Sequence, residues 1–380
     1  MIRFFLALGY SLIFSASAGW AGDDSRVSGP SLVSYPFAYH PLVLEDAGPQ
    51  FKSGAYLGPV VDRSRSYLLG ISEEEISGQR PGAIRNVWDR IRNGFSLPPL
   101  RGSLVAGREH WYGQRKNLVA SISQKSRRYL FHIVEAVEKR GMPMELALLP
   151  FVESGFEPGA LSTAQAAGLW QFIPGTAQRY RLALSDHYDG RRDIVASTEA
   201  ALDYLEFLHG IFKDWQLALA AYNWGEEAVL RAISRNQARG LATDYESLAL
   251  PEETRYYLPK LMAIRNIVLS PELHGVELAD IPNAAYFSEV DVRLPLDIQS
   301  VARLSGSSVE EILALNPSHK SLVISGRGKP AVLVPTERIK AFEQNMENYS
   351  LKPAKDFRKR VPRKNVAKAV AGLKVQGGAL

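Results

Sequence analysis

The chain is 380 residues long, 46% hydrophobic, 22% charged and 10% aromatic, a globular composition that suits roughly two or three domains of about 150 residues and excludes a wholly disordered polymer. It contains no cysteine, which removes disulfide staples, thiolate metal sites, iron–sulfur clusters, a cysteine nucleophile and any lipid joined through a cysteine. The net charge is +5, yet residues 351–380 hold nine Lys and Arg against one acid, Asp356, so this tail carries +8 and the remainder −3. Such a tail is either a solvated, flexible end or a contact for an anionic polymer or lipid surface.

Arg3 precedes an apolar run from Phe4 to Phe14, followed by the small residues Ser15 to Gly19. The run is well short of the roughly 20 residues a membrane span needs, and Ala16-Ser17-Ala18 or Gly19-Trp20-Ala21 supplies small side chains for a cleavage pocket. Residues 1–21 therefore read as a secretory signal peptide, and export to the periplasm or cell envelope is expected. Residues 22–109 are punctuated by Gly-Pro, Tyr-Pro, His-Pro and Pro-Pro steps and read as loop-rich, with one helical piece near 83–93 and no assigned chemistry. From Lys116 the pattern changes. Leu118, Ile122, Tyr129, Ile133, Val134 and Val137 recur at helical spacing until Gly141 and Pro143 stop the run. Further helical periods follow over 144–152, 164–180, 194–212, 215–222, 226–239 and 254–269, which predicts an all-α domain over about 110–275.

Within that domain the run Leu146-Ala147-Leu148-Leu149-Pro150-Phe151-Val152 ends on Glu153-Ser154. A carboxyl at the end of so apolar a helix loses hydration, which raises its pKa and keeps it protonated nearer neutral pH, as a general acid requires. The alternative is a solvated glutamate at a helix end. Three polar and aromatic clusters follow: Phe156 to Ser162, Ala167 to Thr176, and Ala221-Tyr222-Asn223-Trp224-Gly225. Trp170, Phe172, Tyr222 and Trp224 offer flat faces for sugar rings, and Ser162, Gln171 and Asn223 offer hydrogen bonds to hydroxyl or acetamido groups. Equally, the aromatics can be core and the polar groups caps.

In this order and spacing, glutamate-serine, phenylalanine-x-proline, serine, glycine-leucine-aromatic-glutamine and alanine-tyrosine-asparagine-x-glycine, the sequence resembles the lytic transglycosylases that cleave bacterial peptidoglycan, within the lysozyme-like superfamily. The segments Arg140 to Leu146, Tyr188 to Asp193 and Glu253 to Lys260 look like the membrane-bound D-type subgroup, and the likeness runs from about Val87 to Pro335. The resemblance implies a lysozyme-like helical catalytic domain with Glu153 as the single catalytic residue. It implies that Ser162, Gln171, Tyr222, Asn223 and Tyr257 line the cleft, with Ser154 and Phe156 as capping and packing groups and Asp189, Arg192 and Asp193 as structural residues. Gly168 serves either a backbone approach to substrate or the joining of two elements. The Ser162-Thr163-Ala164-Gln165 run departs from the family's serine-x-glycine-alanine, and the subgroup's usual cysteine anchor is missing from this sequence, so no lipid anchor through cysteine is expected.

A two-carboxylate hydrolase needs a second acid across the sugar, and the only other carboxylate in the matching motifs is Glu157, beside Pro158, where an exposed loop is expected. The resemblance instead implies a lyase-like route: Glu153 protonates the oxygen between N-acetylmuramic acid and N-acetylglucosamine, the substrate's own acetamido group supports the positive charge, and Glu153 then takes the proton from the 6-hydroxyl as it closes on carbon 1. No metal or other cofactor enters this scheme. After about Gly275 a strand, helix, helix, strand order over 283–350 is similar to a divergent LysM module, read either as a sugar-binding unit or as a structural appendage. The expected architecture is thus mainly α, a lysozyme-like helical catalytic domain followed by a small α+β LysM-like segment and the tail 351–380. Peptidoglycan glycan strands are the expected partner, with the tail touching anionic cell wall or membrane and no nucleic acid bound. Two other readings stay open: a cell-wall-binding protein on the same scaffold, and a hydrolytic muramidase.

Overall fold

The computed structural model describes residues 84–292, 296–320, 323–324, 331–347 and 349. The signal-like segment 1–21, most of 22–109 and the tail 351–380 lie outside the described residues. Among the described residues no helix is long and apolar enough to cross a membrane.

The architecture is mostly helical. Its first helices are α1 (Val87–Asn93), α2 (Ser103–Gly113), α3 (Lys116–Ser126) and α4 (Leu130–Lys139). The long period read from Lys116 is split at Arg127 to Tyr129, because the Tyr129 ring drops into the core and its hydroxyl donates to the Ala314 carbonyl at 2.9 Å. In α4 the spacing of Leu130, Ile133, Val134 and Val137 puts all four on the buried face. Helix α2 runs across the 109/110 boundary and packs on the later helix Glu252–Leu269, and Trp88 of α1 is buried and donates through Nε1 to the Ala279 carbonyl at 2.8 Å. Residues 84–109 are therefore more helical than their proline steps suggest. Only Val105 and Tyr112 of α2 are buried, so this helix carries too few apolar positions to show a period.

A 3₁₀ turn (Met144–Leu148) leads into the short helix α5 (Leu149–Glu153), and the body continues with α6 (Pro174–Arg179), α7 (Ile194–Phe212), α8 (Trp215–Trp224), α9 (Glu226–Ala238) and α10 (Glu252–Leu269). Asp193 and Asp214 cap α7 and α8, accepting from the amides of Ala196 and of Gln216 and Leu217. Helix α8 packs against α7, α9 and α10, and its Leu217-Ala218-Leu219-Ala220-Ala221 run is buried. Small side chains let three neighbours approach it.

The helix expected over 164–180 is corrected by the structure: only Pro174–Arg179 is helical. The preceding chain folds into a loop with isolated bridges between Leu161 and Ala167 and between Ala167 and Phe172. Gln165, Gly168 and Gln171 have φ of +62°, +86° and +49°, values a right-handed helix excludes, and Pro174 holds Ile173 in the extended region. Arg191 fastens the loop. Its Nη1 donates to the carbonyls of Gln165 at 2.6 Å and Phe172 at 3.3 Å, while Nε and Nη2 reach the Asp189 carboxylate at 2.9 and 2.8 Å.

The carboxy-terminal part has β1 (Phe287–Asp291), β2 (Leu296–Asp297), α11 (Ile298–Ser305), α12 (Val309–Leu315), β3 (Val323–Ile324), β4 (Ala331–Pro335) and α13 (Ile339–Glu347). Strands β1 and β4 pair antiparallel from Phe287 opposite Pro335 to Asp291 opposite Ala331. The strand, helix, helix, strand order agrees with the sequence reading, which lacks the two-residue β2–β3 pair and α13. Val292, Leu296, Ile298, Val301, Ile312, Val332, Val334 and Phe342 form a separate core. This part is bolted to the helical body. Arg128 makes a forked pair with Glu311 at 2.7–3.1 Å, and the amides of Asp189 and Lys320 donate to the carbonyls of Ser318 and His187 at 2.8 and 2.9 Å.

Candidate active site

Glu153 closes α5 at the end of a segment whose residues 144–151 are all buried. Pro150 stands in the first turn of this helix, and its carbonyl receives the amides of Ser154 at 3.2 Å and Phe156 at 3.0 Å. Gly155 and Phe156 then take φ of +58° and +54°, a two-residue left-handed turn that carries the chain sharply away from the carboxyl. Ser154 Oγ donates to the Leu169 carbonyl at 2.9 Å, and Phe156 is buried, so these two residues cap and pack as the motif reading expects.

The Tyr257 hydroxyl, from α10, donates to Glu153 Oε1. Among the described residues Oε2 makes no hydrogen bond. Burial pushes the Glu153 carboxyl up to about 7, against the Tyr257 hydrogen bond and the Lys260 charge, which pull it down, and with Glu253 adding a smaller upward push. Burial also holds the Tyr257 and Tyr222 hydroxyls well above the ordinary tyrosine range, reinforced in both by the nearby Glu153 charge. Both phenols are neutral donors beside the acid.

Among the described residues none of the other predicted residues is hydrogen-bonded to Glu153. Tyr222 donates to the Trp170 carbonyl at 2.9 Å. Asn223 Oδ1 accepts from Thr254 Oγ1 at 2.8 Å, tying α8 to α10. Ser162 Oγ accepts the Ala166 amide at 3.0 Å, and Gln171 Nε2 donates to the Gly168 carbonyl at 2.8 Å. These last two belong to the same bridged loop. Trp170 and Phe172 do not offer faces to a sugar: they are 0% and 2% exposed, and Trp170 Nε1 is spent on Thr198 Oγ1 at 3.1 Å. Tyr222 and Trp224 remain partly exposed.

A methyl group on Gly168 would sit 1.9 Å from the Arg191 carbonyl oxygen, so of its two readings the structure favours the joining of two backbones. Asp189 pairs with Arg191 at 2.8 Å and lies 3.9 Å from Arg192, and Asp193 caps α7. Glu157 pairs with Lys125 at 3.3 Å and lies partly exposed. Sequence reasoning passed over Lys260, Thr254 and Arg191. All three stand inside quoted motifs, but nothing in their spacing distinguishes them from surface residues.

Residues 132–244 match the family model for the transglycosylase SLT domain. The chain carries an SLT domain. The match encloses Glu153, Ser162, Gln171, Tyr222 and Asn223, while Tyr257 reaches into it from outside the matched segment. Residues 286–350 match the LysM-like domain of lytic transglycosylase MltD. The chain is 39% identical over 262 residues to membrane-bound lytic murein transglycosylase D of Escherichia coli strain K12, covering 69% of this chain and 58% of that protein. It is 48% identical over 122 residues to an Alteromonas sp. strain M-1 protein named for tributyltin chloride resistance, covering 31% of this chain and 59% of that protein. It is 28% identical over 199 residues to membrane-bound lytic murein transglycosylase C of Mannheimia succiniciproducens, covering 47% of this chain and 54% of that protein. The chain thus spans less than two thirds of the length of each of these relatives.

Proposed function

We propose that the chain is a lytic transglycosylase that cuts the bond between N-acetylmuramic acid and N-acetylglucosamine in peptidoglycan and leaves 1,6-anhydromuramic ends. The observation that carries this reading is the Glu153 carboxyl itself: partly desolvated, held through one oxygen by a neutral tyrosine, and with its second oxygen unengaged among the described residues. A carboxyl near 7 keeps enough of its protonated form at neutral pH to donate to the glycosidic oxygen, and enough basicity afterwards to take a proton back. Glu153 protonates the leaving oxygen, the substrate's acetamido group shares the positive charge at carbon 1, and the Glu153 carboxylate accepts the 6-hydroxyl proton as that oxygen bonds to carbon 1. Tyr257 steadies the carboxylate between the two steps.

Ser162, Gln171, Tyr222, Asn223 and Tyr257 line the cleft in this reading, with the partly exposed rings of Tyr222 and Trp224 available to a sugar face. The reading is supported over a two-carboxylate hydrolase by Glu157, which is engaged with Lys125 and with the Gly159 amide at 3.4 Å. Work in the periplasm or cell envelope is supported by the signal-like start, and contact of the tail with anionic cell wall or membrane by its +8 charge. Glu153→Gln keeps the shape and loses the proton, so turnover of purified sacculi falls by about 100-fold to 10,000-fold while sacculus binding persists. A variant retaining more than about a tenth of the wild-type rate refutes the assignment, since a general acid contributes at least about 100-fold.

A further inference from the structure

Helix α10 lays a stripe of three residues along the acid. Glu253, Tyr257 and Lys260 are spaced by four and then three residues, which places them on one helix face. Tyr257, at the centre, contacts Glu153. Its two neighbours carry opposite charges. Lys260 is partly buried and makes no hydrogen bond or ion pair among the described residues, which is unusual for a desolvated ammonium. Across from it, Arg108 of α2 stacks 4.6 Å from the Tyr256 ring centre and is likewise without an acid partner among the described residues.

We propose that Lys260 is a positioning residue that acts through the Tyr257–Glu153 pair, its positive charge favouring the carboxylate form of Glu153 while Glu253 opposes it, so that this stripe fixes the pH at which the acid stops working. The proposal rests on the reading of Glu153 as the general acid. The titratable and charged groups that act on Glu153 are Tyr257, in direct contact, with Lys260 and Glu253 from the same helix α10, and Tyr222 from α8; Arg108 from α2 acts on Lys260. The directions agree with this geometry. Lys260 pulls the Glu153 carboxyl down and Glu253 pushes it up, while burial and then Arg108 hold the Lys260 ammonium below its usual range, against the pull of Glu253 and Glu153. A double-duty carboxyl gains from such a balance: with no cation nearby it would bind its proton too tightly to return as a base.

The test is the pH dependence of kcat/KM on soluble glycan fragments of peptidoglycan, measured with the full chain. Activity needs protonated Glu153 in the first step, so the rate falls on an alkaline limb. Lys260→Met removes the cation and moves that limb to higher pH by about half a unit or more, the direction expected when a nearby opposite charge is lost. Lys260→Arg, which keeps the charge, returns the limb to its wild-type place. Glu253→Gln, at an exposed position tolerant of change, moves it to lower pH, and decides the matter alone if Lys260→Met does not fold. A side chain that only packs would lower the plateau and leave the limb where it is, and an unmoved limb in the charge-removing variants overturns the proposal. If Glu153→Gln is inactive in the same assay, that outcome strikes Lys260 only; if Glu153→Gln is active, the reading of the acid itself has failed.

Discussion

Glu153 stands in conflict with its own surroundings. Its carboxyl ionises near 7 instead of the ordinary 4.5, so between those two pH values the folded chain holds a proton that the unfolded chain has released. Stability contributed by that proton is fully present below about 4.5 and is lost as pH rises toward 7. Glu153→Gln removes the penalty, so the variant unfolds at higher urea than wild type at pH 8, by about 1–2 kcal/mol for a partly solvated carboxyl, and the difference closes near pH 4.5. Equal stability at pH 8 would mean that burial does not set the proton affinity. The loss of hydration at this carboxyl was foreshadowed by the apolar run that precedes it, but that run left a solvated helix end equally open, and the catalytic reading of Glu153 came from the family resemblance. Tyr257 was legible only through a family motif, since its 104-residue separation from Glu153 is bridged by packing of α10 and by no local pattern. Lys260 left no signal, because a lysine near the middle of a helix reads as a solvated one.

Among the elements, the bridged loop between α5 and α6 departs furthest from its sequence. Ala164, Ala167 and Gly168 share the small, apolar character of a packed helix face, and no proline stands between Ala164 and Pro174 to break the period. What opens the helix is long-range: the Arg191 guanidinium, held by Asp189, takes up carbonyls of Gln165 and Phe172. Two glutamines accept left-handed backbone there, a conformation that sequence rules assign to glycine or asparagine. The aspartate-capped helices α7 and α8 were by contrast readable within a few residues, while the apolar period running into α4 gave no sign of the break at Arg127 to Tyr129. Gly168→Ala places a methyl group against the Arg191 carbonyl at a positive φ, and destabilises the fold by about 3 kcal/mol or more, beyond the usual cost of a strained glycine site. Thermal unfolding measures this; a loss under about 1 kcal/mol would show that the Gly168–Arg191 approach is not tight in solution.

For the whole molecule, the LysM-like part and the helical body share hydrogen bonds, the forked Arg128–Glu311 pair and core residues: Phe287, Leu315 and Leu333 belong to the main core. The strand and helix order of this part was visible in the sequence; its attachment was not, because Glu311 and Ser318 look like ordinary surface residues until Arg128 and Asp189 meet them. The tail 351–380 acts, in our reading, by charge alone. Its deletion weakens retention on sacculi or anionic vesicles at low salt, an effect that shrinks as the screening length drops to about 3 Å near 1 M salt, and leaves cleavage of soluble fragments intact. Loss of cleavage on short fragments would place the tail within the catalytic fold. The central claim is that one carboxylate and the substrate's own hydroxyl suffice, since an oriented intramolecular group can act at an effective concentration of about 10⁵ M or more and outcompete water. The most direct test digests purified sacculi in ¹⁸O-labelled water and weighs the products by mass spectrometry. The account predicts 1,6-anhydromuramic ends, one water lighter than reducing ends and free of label; predominantly labelled reducing ends would contradict it.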